Sequence, residues 1–237
     1  MDARVNIWYT RDMNVTAKRV KAVLFDLDGT LVDTIGDIAY ALNTVLASLG
    51  IAKIEDATCM RFVGNGLRNT LKGALQAAGS DVDEAETDRL FALFLDAYAR
   101  KPFERSVLYP HMPALLQKCV AAGLPVGILS NKDDALVRVI VKALLPDIAF
   151  AFVRGALPGE PLKPAADSAL RFARMIGLDS ADILLVGDSE VDAMTAKAAH
   201  MQLALVGWGY RPLQALAQVG YGSLCRTVEE LQAEVFA

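Results

Sequence analysis

Five short stretches of the chain are apolar without alternation: 22–25, 126–129, 148–153, 183–186 and 203–206. A strand meets water on neither face only when it lies inside a sheet covered on both sides, so runs of this kind predict buried parallel strands. Helical spacing of apolar positions fills the gaps around 113–122, 134–145, 165–176 and 190–199. Strand and helix in alternation predict right-handed crossovers and a doubly wound, Rossmann-like parallel sheet. The first run must join the other four, because a lone strand is not stable in water.

Between the first and second strands the pattern is helical throughout. Ile35, Ile38, Ala39, Leu42, Val45, Leu46 and Leu49 share one face, and Gly50 is a natural stop. A short helix is expected over 56–62, broken by Gly64-Asn65-Gly66, then a third over 67–78 that stops at Gly79. Ser80 and Asp83 are start signals for a fourth, which carries Leu90, Phe91, Phe94, Leu95 and Tyr98 before Pro102. Residues 34–106 are therefore expected to form a helical insertion in a core made of 18–33 and 107–237. Residues 1–17, with Trp8, Tyr9 and an internal Met13, have no clear period and are expected to be a tail.

Composition narrows the function classes. Hydrophobic residues make up 54% and charged residues 22% of the 237, which excludes a disordered chain and leaves a core to bury. The net charge of −4 has no basic stripe, so nucleic acid is not an expected partner. No apolar run approaches the ~18 residues of a membrane helix, and the N-terminus lacks the apolar centre of a secretion signal. Cys59, Cys119 and Cys225 are scattered and odd in number, as in a reduced cytoplasmic protein rather than a disulfide or metal framework.

The chemistry concentrates at strand ends. Ala22–Phe25 leads into Asp26-Leu27-Asp28-Gly29-Thr30. Two carboxylates two positions apart at the carboxyl edge of a sheet face the place where such sheets bind ligands. One can act as nucleophile and the other as proton donor. The second strand ends in Ser130-Asn131-Lys132, offering a hydroxyl and backbone N–H groups to an anion; a helix cap is the alternative role for Ser130. Lys163-Pro164 follows the third strand; the lysine is either a charge neutraliser or a solvated surface residue. The fourth strand ends in Gly187-Asp188-Ser189-Glu190-Val191-Asp192, where Asp188 or Ser189 can also simply cap the next helix.

Taken in order, these four segments resemble motifs I to IV of the haloacid dehalogenase-like hydrolase superfamily. The resemblance implies a core strand order of 5-4-1-2-3 and a helical cap of the C1 type after motif I. It implies a phosphatase in which Asp26 attacks phosphorus and Asp28 handles protons. Ser130 and Asn131 then bind phosphate, and Lys163 neutralises charge. Mg²⁺ is held by Asp26, Asp28 (through its carbonyl) and Asp188, with Gly29, Thr30, Gly187 and Asp192 in support. Asp28 argues for phosphoryl rather than halide chemistry, since the dehalogenases of the superfamily lack the second Asp. The lysine survives, but many relatives continue Lys-Pro-Asp-Pro where this chain has Lys163-Pro164-Ala165-Ala166.

Arg61-Phe62-Val63-Gly64-Asn65-Gly66-Leu67-Arg68 resembles the cap segment of phosphoglycolate phosphatases. That implies a small phosphorylated metabolite, best matched by 2-phosphoglycolate, with Arg61 or Arg68 pairing its carboxylate or else lying solvated. β-Phosphoglucomutase-like mutases, pyrophosphatases and nucleotidases share these motifs. A catalytically silent phosphate-sensing relative is the non-enzyme alternative. Monomer and homodimer both remain open.

Overall fold

The computed structural model describes residues 19–237; the tail expected at 1–17, and Lys18 at the start of the expected core, lie outside the described residues. Six parallel strands form one sheet: β1 Ala22–Phe25, β4 Val126–Asp133, β5 Phe152–Ala156, β6 Ile183–Gly187, β7 Gln202–Val206 and β8 Ser223–Cys225. Their order is β5-β4-β1-β6-β7-β8. Read from the other edge, the first five sequence-expected strands keep the order 5-4-1-2-3. The expectation falls short by one strand, because β8 adds to the edge beside β7. Only three residues long and flanked by Gly220 and Gly222, β8 carries no apolar run to announce it.

The third strand is also shifted. The apolar residues at 148–151 turn rather than extend, with Ile148 N–H bonded back to Leu145 and Phe150 N–H to Ile148. Ile148 and Phe150 pack onto the core from this turn, and the strand itself starts at Phe152. Ile148 and Phe150 are half-buried and Ala149 and Ala151 exposed, so the apolar run marked a surface turn against the core and not a strand.

Helices α5 Met112–Ala121 and α10 Val228–Val235 pack on one face of the sheet, with α7 Asp167–Ile176 and α8 Glu190–Ala198 on the other. α6 Asp134–Leu144 follows β4. β1 is wholly buried, and Phe25 and Leu24 point into the two opposite core layers. Each such side chain contributes roughly 1.5–3 kcal/mol of transfer free energy. The centre of the sheet is therefore a rigid platform, and the carboxyl ends of β1, β4 and β6 lie side by side on it.

The helical block comprises α1 Ile35–Ser48, α2 Asp56–Met60, α3 Leu67–Ala77 and α4 Glu84–Arg100. It buries its own cluster, in which Ile38, Leu42 and Leu46 of α1 meet Leu90, Phe94 and Tyr98 of α4. Asp83 caps α4 by accepting from Glu86 N–H at 2.8 Å. A two-residue antiparallel pair, β2 Val32–Asp33 with β3 Val107–Leu108, joins the block to the sheet. Asp37, fully buried, pins the return path by accepting from Arg105 N–H at 3.1 Å and Ser106 O–H at 2.6 Å. Among the described residues no helix is long and apolar enough to cross a membrane, and all three cysteines are free and buried.

Candidate active site

Asp26 leaves β1 with its N–H still bonded to Val186 of β6, so the strand pairing fixes where the side chain emerges. Asp188 emerges from the neighbouring β6 end. Carboxylate oxygens of Asp26, Asp188 and Asp192 lie within 4.8 Å of one another, all three buried. Lys163 Nζ sits among them, 2.6 Å from Asp192 and 3.0 Å from Asp26, with its side chain only 3% exposed. The solvated-lysine alternative is excluded. Burial alone would lower the lysine pKa, but Asp192 and Asp26 overcome that and hold it above the ordinary value.

The carboxylates respond oppositely. Burial raises Asp26 to about 7; Lys163 opposes the shift, and Asp192 and Asp28 add to it. Burial also raises Asp188 well above an ordinary aspartate, reinforced by Asp192 and Asp26. Burial and repulsion between like charges both disfavour the ionised form, and Lys163 offsets only part of this at Asp26.

Asp192 is fully engaged: beside Lys163 it accepts from Ser189 O–H at 2.6 Å and Ser189 N–H at 3.2 Å. Ser189 in turn caps α8, so the helix start uses Ser189 and leaves Asp188 free of capping. Asp188 instead accepts from Tyr210 N–H at 2.6 Å. Three glycines make room here. A Cβ at Gly29 (φ +79°) or Gly209 would strike the Asp188 carboxylate, and one at Gly187 would strike Asp192. Thr30 is buried beneath; its carbonyl accepts from Trp208 Nε1 at 3.2 Å.

At the end of β4 the strand runs on to Asp133, whose carboxylate caps α6 by accepting from Ala135 and Leu136 N–H. Ser130 is thus not the helix cap. Its Oγ accepts from Lys132 N–H at 3.2 Å and lines the same pocket as Asp26. Asn131 lines the same pocket, with its side-chain amide turned to main-chain groups. Its amide ties the chain at Lys163 through both main-chain groups and donates to Gly64 O at 3.1 Å.

Asp28 has a partner that the sequence reading missed. Its carboxylate accepts from Thr34 Oγ1 at 2.5 Å and pairs with Lys132, whose side chain is fully buried 4.9 Å from the centre of the Tyr98 ring. Alternation along an extended strand places Lys132 on the side of Ser130, a signal available to anyone who let the strand run past Leu129. Tyr210 and Arg211 were also missed. They sit in Gly207-Trp208-Gly209-Tyr210-Arg211, a glycine-rich loop at the carboxyl end of β7, which is where a site on this sheet recruits residues.

The helical block closes the pocket with Val63, Gly64, Gly66, Leu67 and Thr70. Its expected arginines stay outside. Arg68 pairs with Asp88 at 2.5 Å and Glu84 at 2.8 Å on the surface of the block, and Arg61 and Asn65 are exposed. The α2–α3 turn brings its backbone over the pocket and leaves those side chains outside.

A profile of the family described as haloacid dehalogenase-like hydrolase matches residues 23–206. A phosphoglycolate phosphatase of Mesorhizobium japonicum is 36% identical over 188 residues, covering 79% of this chain and 83% of that protein. One of Rhodospirillum rubrum is 34% identical over 201 residues, covering 80% of each. Among solved structures, a Lactobacillus delbrueckii subsp. bulgaricus protein provisionally described as a phosphoglycolate phosphatase superimposes with a TM-score of 0.87 at 26% identity, covering 92% of this chain and 99% of its own.

Proposed function

This chain belongs to the haloacid dehalogenase-like hydrolases and is a phosphoric monoester hydrolase, and from that premise we propose its mechanism, its metal and its substrate. The observation that carries the reading is the buried set of Asp26, Asp188 and Asp192 around Lys163 at the ends of two adjacent strands.

In this reading Asp26 attacks phosphorus in line and forms an aspartyl-phosphate. Asp28 gives a proton to the leaving oxygen and later takes one from the attacking water. Lys163, fixed by Asp192, holds positive charge against the nucleophile carboxylate and the phosphoryl oxygens. The Ser130 hydroxyl donates to phosphate. Residues 34–106 act as a cap domain on a core of 18–33 and 107–237.

The donor set fits Mg²⁺. Asp26 and Asp188 present hard oxygens in a site whose like charges already resist ionisation, and Asp28 keeps its carbonyl for a ligand while its carboxylate is occupied. A bound Mg²⁺ would offset this charge and draw electron density from the phosphoryl oxygens. The reading extends to a cytoplasmic monomer or homodimer acting on a small phosphorylated metabolite without nucleic acid or membrane. The names of the relatives support 2-phosphoglycolate. Phosphate release with Mg²⁺ should be faster by about tenfold or more in kcat/KM for 2-phosphoglycolate than for p-nitrophenyl phosphate, a preference of roughly 1.4 kcal/mol. Equal values would remove the substrate assignment.

Metal binding has its own readout. A carboxyl whose folded pKa is raised binds more protons folded than unfolded, so the metal-free protein loses stability as pH climbs from about 4 towards 7. The cation needs the deprotonated pair. Saturating Mg²⁺ at about 100 times Kd supplies ~2.7 kcal/mol, which should raise Tm by roughly 5–10 °C at pH 8 and far less at pH 5. Asp188→Asn should erase the shift. An equal shift at both pH values would contradict the assigned ligands.

A further inference from the structure

We propose that Arg211 is the specificity-determining residue of this site: it grips a second anionic group of the substrate, a carboxylate at the end away from the phosphate, while it holds the cap loop over that end. The proposal deepens the phosphatase reading and rests on it for the identity of the reaction.

Arg211 reaches from the core into the cap. Its Nη2 donates to Val63 O at 2.7 Å and its Nη1 to Met60 O at 3.3 Å. Its Nε donates to Glu190 Oε2 at 3.1 Å, so the side chain is braced at the start of α8, two residues from Asp188. The Arg211 side chain is 14% exposed and meets the carbonyl of Met60, the last residue of α2, and that of Val63 in the turn beyond it. Gly64 lies directly against it: a Cβ there would stand 3.0 Å from Nη2. Because the acceptors are main-chain carbonyls, the grip is set by the path of the α2–α3 turn and not by its side chains.

Three of the five N–H groups of a guanidinium are thereby used, and the other two have no partner among the described residues. Arg211 lines the pocket, and no other arginine does so among the described residues. The other pocket-lining cation, Lys132, is fully buried against Asp28, whereas Arg211's own acidic partner, Glu190, is half exposed and engages only its Nε. A substrate carboxylate entering beside the phosphate therefore meets one planar cation with donors to spare. Two unused N–H groups are enough for two contacts to a carboxylate. Arg61 and Arg68, the arginines expected from the sequence, are respectively exposed and paired with acids outside the pocket.

The test compares 2-phosphoglycolate with 2-hydroxyethyl phosphate, which is of similar size but has no carboxylate, on wild type, Arg211→Lys and Arg211→Gln. Loss of a charge-assisted contact should raise KM for 2-phosphoglycolate by about 10–100-fold in Arg211→Gln. A loosened cap raises KM for both esters, but 2-hydroxyethyl phosphate has no carboxylate contact to lose, so the ratio of its KM to that of 2-phosphoglycolate should fall by about tenfold or more in Arg211→Gln. Arg211→Lys should recover part of the carboxylate preference but not all of it. An Arg211→Gln enzyme that still prefers the carboxylate substrate as strongly as wild type overturns the recognition claim. Amide hydrogen exchange without substrate reads the grip on the cap: residues 61–66 should exchange faster in Arg211→Gln while the sheet strands do not change. Unchanged exchange there overturns the positioning claim. Absence of turnover of both esters by wild type would instead count against the phosphatase reading, and the exchange result would still decide the grip.

Discussion

Asp26→Asn is expected to lower turnover by roughly 10⁵-fold or more, the scale of losing a covalent nucleophile, without unfolding the protein. An amide matches the carboxylate in shape but attacks phosphorus poorly. The fold should tolerate it because Lys163 keeps Asp192 at 2.6 Å, so no buried cation is stranded. Burial first, and repulsion among the acids second, hold Asp26 and Asp188 above ordinary aspartate pKa values, and an Asn at position 26 carries neither a charge to desolvate nor one to repel its neighbour. The metal-free variant should therefore melt at or slightly above the wild-type temperature at pH 8. Single-turnover phosphate release and a thermal melt decide the matter together. Retention of about a tenth of wild-type turnover, barely 1.4 kcal/mol of barrier, would rule Asp26 out as the nucleophile.

The second large effect belongs to Asp28→Asn, and it should appear in two places. Chemistry should slow by about 10²–10⁴-fold, the usual worth of positioned proton transfer, with little change in substrate affinity. Stability should also fall, because the variant leaves the Lys132 ammonium buried without its carboxylate. The pair is 0% and 10% exposed, and stranding one partner of a buried pair costs about 3–5 kcal/mol. Adding Lys132→Met should restore most of the lost stability, since the apolar side chain keeps contact with Tyr98, and should not restore the rate. Equal recovery of both would mean that Asp28 serves the fold alone. A variant as fast as wild type would end its role in proton transfer.

The strand ends show how legible the site was. Asp26, Asp28, Ser130 and Asp188 each follow a solid apolar run. Burial on both faces leaves that signature in any sequence, and the sheet then brings the ends of β1, β4 and β6 together. Lys163 was readable only as one of two alternatives. Whether a lysine is solvated depends on what surrounds it, here Asp26 and Asp192 from far along the chain. The cap was legible as helices and mistaken in its side chains. Helical period reports that a face is buried, and does not report which turn residue looks inward. So Arg68 was offered to the substrate while it pairs with Glu84 and Asp88.

By itself the sequence determined the alternation of strands and helices, the helical insertion and the acids that crowd one sheet edge, because periodicity and strand-end position are local properties. Only the tertiary structure decided who partners whom: Lys132 with Asp28, Asn131 with the Lys163 main chain, Arg211 with the cap carbonyls. Those pairings join residues dozens to more than a hundred positions apart. Their geometry follows from how the cap sits on the sheet, which no stretch of neighbouring residues encodes.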